Sequence, residues 1–304
     1  MYQQDFSDLV IRSEVEKMFL PFYQLLIFLG FYCQQPNPDT SMPFTIGQSK
    51  TSLHLSKVQV DHLNLSLQNL SPEEIIQWSI ITFPQLYQTT AFGLTGLCIT
   101  DMVHKITAKK GKKHAIDLIF IDTLHHFPQT LDLVERVKDK YHCNVHVFQP
   151  QNATTELEFG AKYGENLWET DDNKYDYLVK VEPSQRAYHA LDVCAVFTGR
   201  RRSQGGKRGE LPVIEIDEIS QVVKINPLAS WGFEQVQNYI QANGVPYNEL
   251  LDLGYKSVGD YHSTQPTKNG EDERAGRWRG KQKSECGIHE ASRFAQYLKA
   301  QQNI

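Results

Sequence analysis

Cysteine is scarce in this chain of 304 residues and nowhere closely paired: the five stand at 33, 98, 143, 194 and 286, with no Cys-x-x-Cys spacing. An odd, dispersed set argues against a disulfide framework and against a thiolate zinc site, both of which use close or even-numbered cysteines. An excess of positive charge is lacking as well. The formal net charge of −5 excludes a general nucleic-acid binder, whose footprint is a strongly basic domain. Any anion site must therefore be local. The most apolar stretch, residues 18–32, is broken by Pro21 and Gln24 and is shorter than the ~20 residues a membrane-spanning helix needs. Asp5, Asp8, Glu14 and Glu16 precede it, unlike the basic start of a secretory signal or an acid-poor transit peptide. The expected location is the cytoplasm, with no membrane partner and no nucleic acid.

What is present is an ordinary globular composition. Hydrophobic residues make up 40% and charged residues 22%, enough for one large α/β domain with appendages. Ser71-Pro72-Glu73-Glu74 supplies a capping serine, a proline at the first helical position and acids in the first turn, predicting a helix over 72–83. Strands are expected at 86–91, 117–122, 144–148, 193–199 and 223–225, with helices ending near 108 and over 130–140 and 231–243. The run Asp117 to Asp122 is apolar throughout its middle, as in a parallel sheet covered on both faces. Strands alternating with helices imply right-handed crossovers and a mostly parallel, Rossmann-like sheet flanked by helices. Beyond Asp260 the chain turns polar, glycine-rich and charged, and the expectation is a mobile arm over 260–304.

That arm carries the most informative stretch, Lys283-Ser284-Glu285-Cys286-Gly287-Ile288-His289. A thiolate, not a thiol, is the nucleophile, and a cysteine needs nearby cations or a helix N-terminus to ionise near neutrality. Arg279, Lys281 and Lys283 precede Cys286, and His289 and a helix expected over 290–298 follow it. Glu285 argues the other way, because a carboxylate beside a thiolate raises its pKa. An ordinary structural cysteine would be buried among apolar neighbours instead.

Two basic loops stand out in an acidic chain. Arg200, Arg201, Arg202, Lys207 and Arg208 follow an expected strand, and Arg274, Arg277, Arg279, Lys281 and Lys283 lead into Cys286. One charge run is commonly a solvated face, but two concentrated ones suit a small polyanion, and the arginine fork suits bidentate phosphate contacts. Between the first expected strand and its helix, Thr89-Thr90-Ala91-Phe92-Gly93-Leu94-Thr95-Gly96 would let backbone N–H groups approach an anion, although such turns are often only structural. Ile121-Asp122-Thr123-Leu124-His125-His126-Phe127 follows the second strand at the carboxyl edge, where open α/β sheets bind ligands. Adjacent histidines rarely point at one ion, so no metal site is expected there.

The Lys-x-Glu-Cys-Gly-Ile-His segment and the preceding Arg274-Ala275-Gly276-Arg277-Trp278-Arg279-Gly280-Lys281 resemble the thioredoxin-dependent phosphoadenylyl-sulfate (PAPS) reductases, and the likeness to fungal members runs from about Leu53 to Lys299. It implies an adenine nucleotide α-hydrolase-like fold with Cys286 as nucleophile. It also implies substrate contacts from Thr90, Ala91, Phe92, Gly93, Thr95 and Gly96 in the phosphate turn, and from Asp122 and Thr123 beside the adenosine. Thr198, Gly199, Arg200, Arg201, Ser203 and Gln204 in the first basic loop, and Arg274, Arg277, Lys281, Lys283 and His289 near the nucleophile, complete the set. Relatives that split ATP carry an acid where Leu94 stands, so ATP cleavage is not expected. The related adenylyl-sulfate (APS) reductases ligate an iron–sulfur cluster through cysteine pairs. Asp260 and Ser263 stand at one such pair and Val181-Glu182-Pro183 lies near the other, so no bound cofactor is expected and PAPS is the favoured substrate.

The resemblance further implies reduced thioredoxin, or glutaredoxin, as the electron donor, a homodimer, and a core domain over 53–259. Residues 1–52 lie outside it and are read as an extension without catalytic role, with Met42 a candidate start; a buried helix or an interfacial anchor is the alternative for the apolar stretch. A silent nucleotide sensor, or another adenine-nucleotide enzyme on this scaffold, stands as the alternative function.

Overall fold

The computed structural model describes residues 53–108, 116–281, 283, 285–295 and 297. The expectations for residues 1–52 and for the end of the helix over 290–298 lie outside them. Two capped helices lead in: α1, Lys57–Leu67, and α2, Pro72–Thr82. Ser71 accepts the backbone N–H of Glu74, and the Glu74 carboxylate returns to the Ser71 N–H at 2.7 Å, the capping box that the sequence advertises.

Then come β1 (Leu86–Thr90), α3 (Leu94–Ala108), β2 (Leu118–Ile121), α4 (Pro128–Tyr141) and β3 (Val145–Phe148). Short helices follow at α5 (Glu156–Tyr163), α6 (Leu167–Thr170) and α7 (Asp172–Asp176). A π-helical turn over Tyr177–Val181 passes directly into α8, Glu182–Ala190. The chain continues through β4 (Ala195–Phe197), β5 (Ile214–Ile216), β6 (Val223–Ile225) and α9 (Phe233–Ala242).

The strands lie in the order β3-β2-β1-β4-β6-β5, parallel throughout except that β5 runs antiparallel to β6. Strand β2 is buried along its whole length, which explains its unbroken apolar run. Ile119, Ile121 and Val196 pack with Ala187 and Tyr188 of α8 to form one core cluster. The chain moves outward from β1 through β2 to β3 and then returns to place β4 on the other side of β1. This is a topological switch point, and a crevice opens there beyond the carboxyl ends of the strands.

Two glycines let the crevice close up at its floor. A Cβ on Gly199 would lie 2.9 Å from the backbone N of Gly96, and one on Gly96 would lie 2.9 Å from Thr90 Oγ1. The loop after β4 therefore runs flush against the start of α3.

The described residues from Asp260 onward are packed down on the body and belong to the same compact unit as the sheet. Asp260 is 1% exposed and Phe294 is also 1% exposed. One local expectation changes: Cys286 precedes a 3-10 turn, Gly287–His289, followed by another at Ala291–Phe294, rather than an α-helix beginning at 290. Gly287 explains the tight turn. A Cβ there would lie 2.6 Å from Val181 Cγ2 and 2.9 Å from the Phe294 ring, so the cysteine turn rests directly on the π-turn.

Among the described residues no helix is long and apolar enough to cross a membrane.

Candidate active site

A cavity of about 230 Å3 occupies the crevice. Its floor is the turn after β1, Thr90 to Gly96, and its sides are Thr198 to Arg201 with Gln204 and the segment carrying Arg274, Arg277, Cys286 and His289. Phe92 holds a left-handed backbone (φ 54°), uncommon for a residue with a side chain. Its N–H donates to Thr90 Oγ1 at 2.9 Å and its ring packs edge-on against Phe120, which offset the strain. Helix α3 starts at this turn, so its first N–H groups and its dipole face the cavity.

The basic loops meet here, but not as a free array of cations. Arg201, 1% exposed, donates to Thr95 Oγ1 at 2.8 Å, to Ser203 Oγ at 2.7 Å and to Glu273 Oε2 at 2.5 Å. Arg200 pairs with Glu215 of β5 and donates to Thr198 Oγ1 at 3.2 Å. Arg208 pairs with Glu285. Two of these three carboxylates, Glu273 and Glu285, belong to the segment after Asp260, so buried ion pairs tie that segment to the first basic loop.

Arg277 is different. Its guanidinium lies 4.5 Å from the centre of the Trp278 ring and donates to the Val258 carbonyl at 3.2 Å, but its Nε has no hydrogen-bond partner. Burial lowers the pKa of Arg200 and of Arg274 to about 10, and each is pushed down further by the charge of Arg208. Arg277 shifts in the same direction for the same first reason, burial. Guanidiniums that disfavour their own charge form a site that an anion would relieve.

Cys286 is partly exposed at the cavity wall, and its thiolate would interact with Lys180, Arg200, Arg274 and Arg277. The other described cysteines, Cys98, Cys143 and Cys194, are buried, and burial pushes their thiols up, Cys98 to about 12. Cys286 is thus the described cysteine placed for reaction. His289 is held neutral, well below its ordinary pKa, by burial and by Arg200, Lys224 and Arg208.

Some expected contacts are not on the cavity wall. Asp122 is occupied by the Leu124 N–H and the Gln149 amide, each at 2.9 Å, while its neighbour Thr123 does face the cavity. Ser203 supports Arg201 from behind. Lys281 donates to the Trp168 carbonyl at 2.7 Å, and Lys283 is held between Asp172 and Asp176. All four are held by nearer partners: N–H donors for Asp122, the Trp231 carbonyl for the Ser203 hydroxyl, and carbonyl or carboxylate oxygens for the two lysines.

The two adjacent histidines also diverge. His125 Nδ1 bonds the Thr123 carbonyl at 2.6 Å, whereas His126 reaches the Ile121 carbonyl at 3.2 Å through Nε2. No group of three metal-ligating side chains occurs among the described residues.

Sequence reasoning missed Lys180 altogether. The π-turn carries it to the cavity wall, where Asp260 at 2.6 Å and Asp176 at 3.0 Å hold its ammonium. Burial disfavours that charge, but the two carboxylates outweigh it and raise the pKa above the ordinary lysine value. Asp260 also accepts from Thr123 at 2.7 Å and from Tyr175 at 3.2 Å, so the position compared with a cluster cysteine serves an ion pair. A π-turn is a frequent mark of function, but Tyr177-Leu178-Val179-Lys180-Val181 gives no sequence signal for one.

Four buried polar atoms on the side chains lining the cavity have no hydrogen-bond partner: His126 Nδ1, Glu273 Oε1, Arg277 Nε and His289 Nδ1. Buried polar groups are ordinarily satisfied, so the cavity suits a polar occupant, to which Arg277 Nε offers a charged donor, with a thiol at its edge.

The family model for the phosphoadenosine phosphosulfate reductase domain matches residues 85–266. The chain is 60% identical over 250 residues to a phosphoadenosine phosphosulfate reductase of Saccharomyces cerevisiae, covering 81% of this chain and 95% of that one. It is 34% identical over 219 residues to adenosine 5′-phosphosulfate reductase 2 of Bacillus subtilis, covering 71% and 89%. A crystal structure of phosphoadenylyl-sulfate (PAPS) reductase from Candida auris, in a phosphate complex, aligns with a TM-score of 0.64 at 56% identity, covering 70% of this chain and 100% of that one.

Proposed function

The chain belongs to the phosphoadenosine phosphosulfate reductase family, and on that premise we propose that it reduces 3′-phosphoadenylyl sulfate to sulfite and adenosine 3′,5′-bisphosphate, with reduced thioredoxin as electron donor. The observation that carries the reading is one cavity wall that joins the glycine turn at an α-helix start, Arg274 and Arg277, and the partly exposed Cys286.

The nucleotide's phosphates lie against the turn from Thr90 to Gly96, where backbone N–H groups and the α3 dipole receive them. Lys180, Arg274 and Arg277 surround the sulfonyl group. The Cys286 thiolate attacks its sulfur, forming an S–S bond as the S–O bond to the nucleotide phosphate breaks; the phosphate oxygen keeps the electron pair and leaves. The cations neutralise that leaving group without moving, because ion pairs and packing already fix their positions. A thiolate of reduced thioredoxin then attacks Cys286 Sγ, and sulfite departs with the S–S bonding pair. The donor's second thiol resolves the mixed disulfide and frees Cys286. Sulfur falls from the +6 to the +4 state, and the dithiol supplies both electrons. Glutaredoxin could replace thioredoxin as the dithiol, and the same reading gives a homodimer in the cytoplasm, serving the assimilation of sulfate into cysteine and methionine.

The deciding experiment measures sulfite release from PAPS with and without reduced thioredoxin. Thioredoxin-dependent release is expected, together with a sulfite-sized adduct on Cys286 when the reductant is withheld. Nucleotide binding with neither product nor adduct would overturn the reading in favour of a silent sensor.

A further inference from the structure

Asp176 ends α7 where the chain enters the π-turn, and it is 0% exposed. Its oxygens meet donors from both sides of Cys286. Lys283, three residues before the cysteine, lies 2.7 Å from Oδ2, and the Gly287 N–H, one residue after it, donates to the same oxygen at 3.2 Å. On the other oxygen, Lys180 lies at 3.0 Å. Burial alone would raise the pKa of Asp176, but Lys180 and Lys283 outweigh it and keep the carboxylate ionised. Asp260 shares Lys180 but otherwise turns toward Thr123 and Tyr175.

We propose that Asp176 is the positioning residue of the nucleophile: one buried carboxylate fixes the turn carrying Cys286 and Lys180 of the same cavity wall as a single unit. The proposal rests on the reading of Cys286 as nucleophile and adds the group that aims it. Asp176 touches neither substrate nor sulfur. It acts because attack on a sulfonyl group needs the thiolate in line with the departing oxygen, and a small displacement of that kind can cost about 100-fold in rate. The close approach of Gly287 to Val181 seats the turn, and the bond from the Gly287 N–H to Asp176 adds the directional contact that sets its register.

The test is Asp176→Asn, which keeps volume and an acceptor oxygen but drops the charge, with Asp260→Asn as comparator. Asp176→Asn is expected to lower kcat by roughly 30- to 100-fold with KM changed less than about 3-fold. Hydrogen exchange in the peptide spanning Gly287 should rise by about 10-fold while sheet peptides stay unchanged. Asp260→Asn should leave exchange at Gly287 as it is. Should Asp176→Asn fail to fold, Asp176→Glu keeps the charge but shifts it by one methylene, and it must show the same loss of kcat. An unshifted kcat, an unshifted Gly287 exchange, or equal exchange changes in the two variants overturns the proposal. Wild-type turnover tests the proposed reaction by itself, and the exchange measurement does not depend on it.

Discussion

Arg208 holds the Glu285 carboxylate in a two-point grip, through Nε on one oxygen and through Nη2 on the other at 2.7 Å, one residue before Cys286. The sequence sets Glu285 beside Cys286 as a charge that opposes the thiolate. In the fold that charge is committed to a guanidinium, and Arg274 and Arg200 lower the Glu285 pKa further; although burial works against them, the net shift is downward. What reads in sequence as an electrostatic liability is the latch that brings the cysteine segment to the basic loop.

Glu285→Gln should therefore destabilise the fold by about 3 kcal/mol, since it leaves the buried Arg208 charge unbalanced. Adding Arg208→Gln should recover part of the loss, because the two effects couple. Urea unfolding of both single variants and the double variant checks this, and strictly additive losses would contradict it.

Cys286→Ser should abolish sulfite release and the sulfite-sized adduct while leaving nucleotide affinity within about 3-fold, because the binding groups lie elsewhere on the wall. Turnover together with isothermal titration against adenosine 3′,5′-bisphosphate separates the two properties.

Arg277→Lys keeps the charge but loses the planar fork and the unpartnered Nε. It should weaken binding of the bisphosphate by roughly 10-fold or more, in line with about 1.5–3 kcal/mol for a charged hydrogen bond. Substitution of Arg201 should show first as lower stability, since that side chain is spent on Thr95, Ser203 and Glu273. Titration and thermal unfolding of both variants distinguish these roles.

Gly199→Ala should be destabilised by roughly 1–3 kcal/mol, because the added methyl would lie 2.9 Å from the Gly96 backbone nitrogen and force the loop off α3. Nucleotide affinity should fall with it, as the same contact shapes the cavity floor. An alanine variant with wild-type stability would refute the close approach.

Acid should unfold the protein partly through His262. Burial pushes this imidazole down to about 3, against an ordinary value of 6.5, and it stacks on Trp168 at 4.2 Å. With the folded pKa depressed, the unfolded chain takes up the proton first. The contribution is complete above pH 6.5 and is lost as pH falls from there toward 3. At about 1.4 kcal/mol per pH unit, a drop to about pH 5 costs roughly 2 kcal/mol from this residue. His125 and His289 shift in the same direction. Urea midpoints measured on either side of pH 6.5 should diverge in the wild type and diverge less in His262→Gln, where His125 and His289 still contribute.

Most of the sheet was legible in the sequence, because fully buried strands such as β2 leave unbroken apolar runs and the capping box at Ser71 has a mechanism behind it. Strand β5 was not. Ile214-Glu215-Ile216 is too short to show a period, and it is recognisable only by its pairing with β6. The stretch from α5 to α8 was silent for another reason: its tyrosines and charges are buried against one another across distant segments, as in Tyr175 with His262 and Lys180 with Asp260, and no local pattern reports such pairs. The same cause divides the site. Cys286, the glycine turn and the arginine loops announce themselves by residue type, whereas Lys180, Asp176 and Asp260 acquire their roles only where three remote segments meet.

The π-turn over Tyr177–Val181 has a consequence for anyone shortening this chain. It holds one residue more than an α-helical turn would, and each residue of a helix rotates the next by roughly 100°. Deleting a single codon between 177 and 179 would let the backbone relax into ordinary α-helix and swing either the lysine or its aspartate out of register. The glycine turn and the arginine loops would stay while the pairing of Lys180 with Asp176 was lost, so a deletion scan reads backbone register, which an exchange of side chains leaves intact.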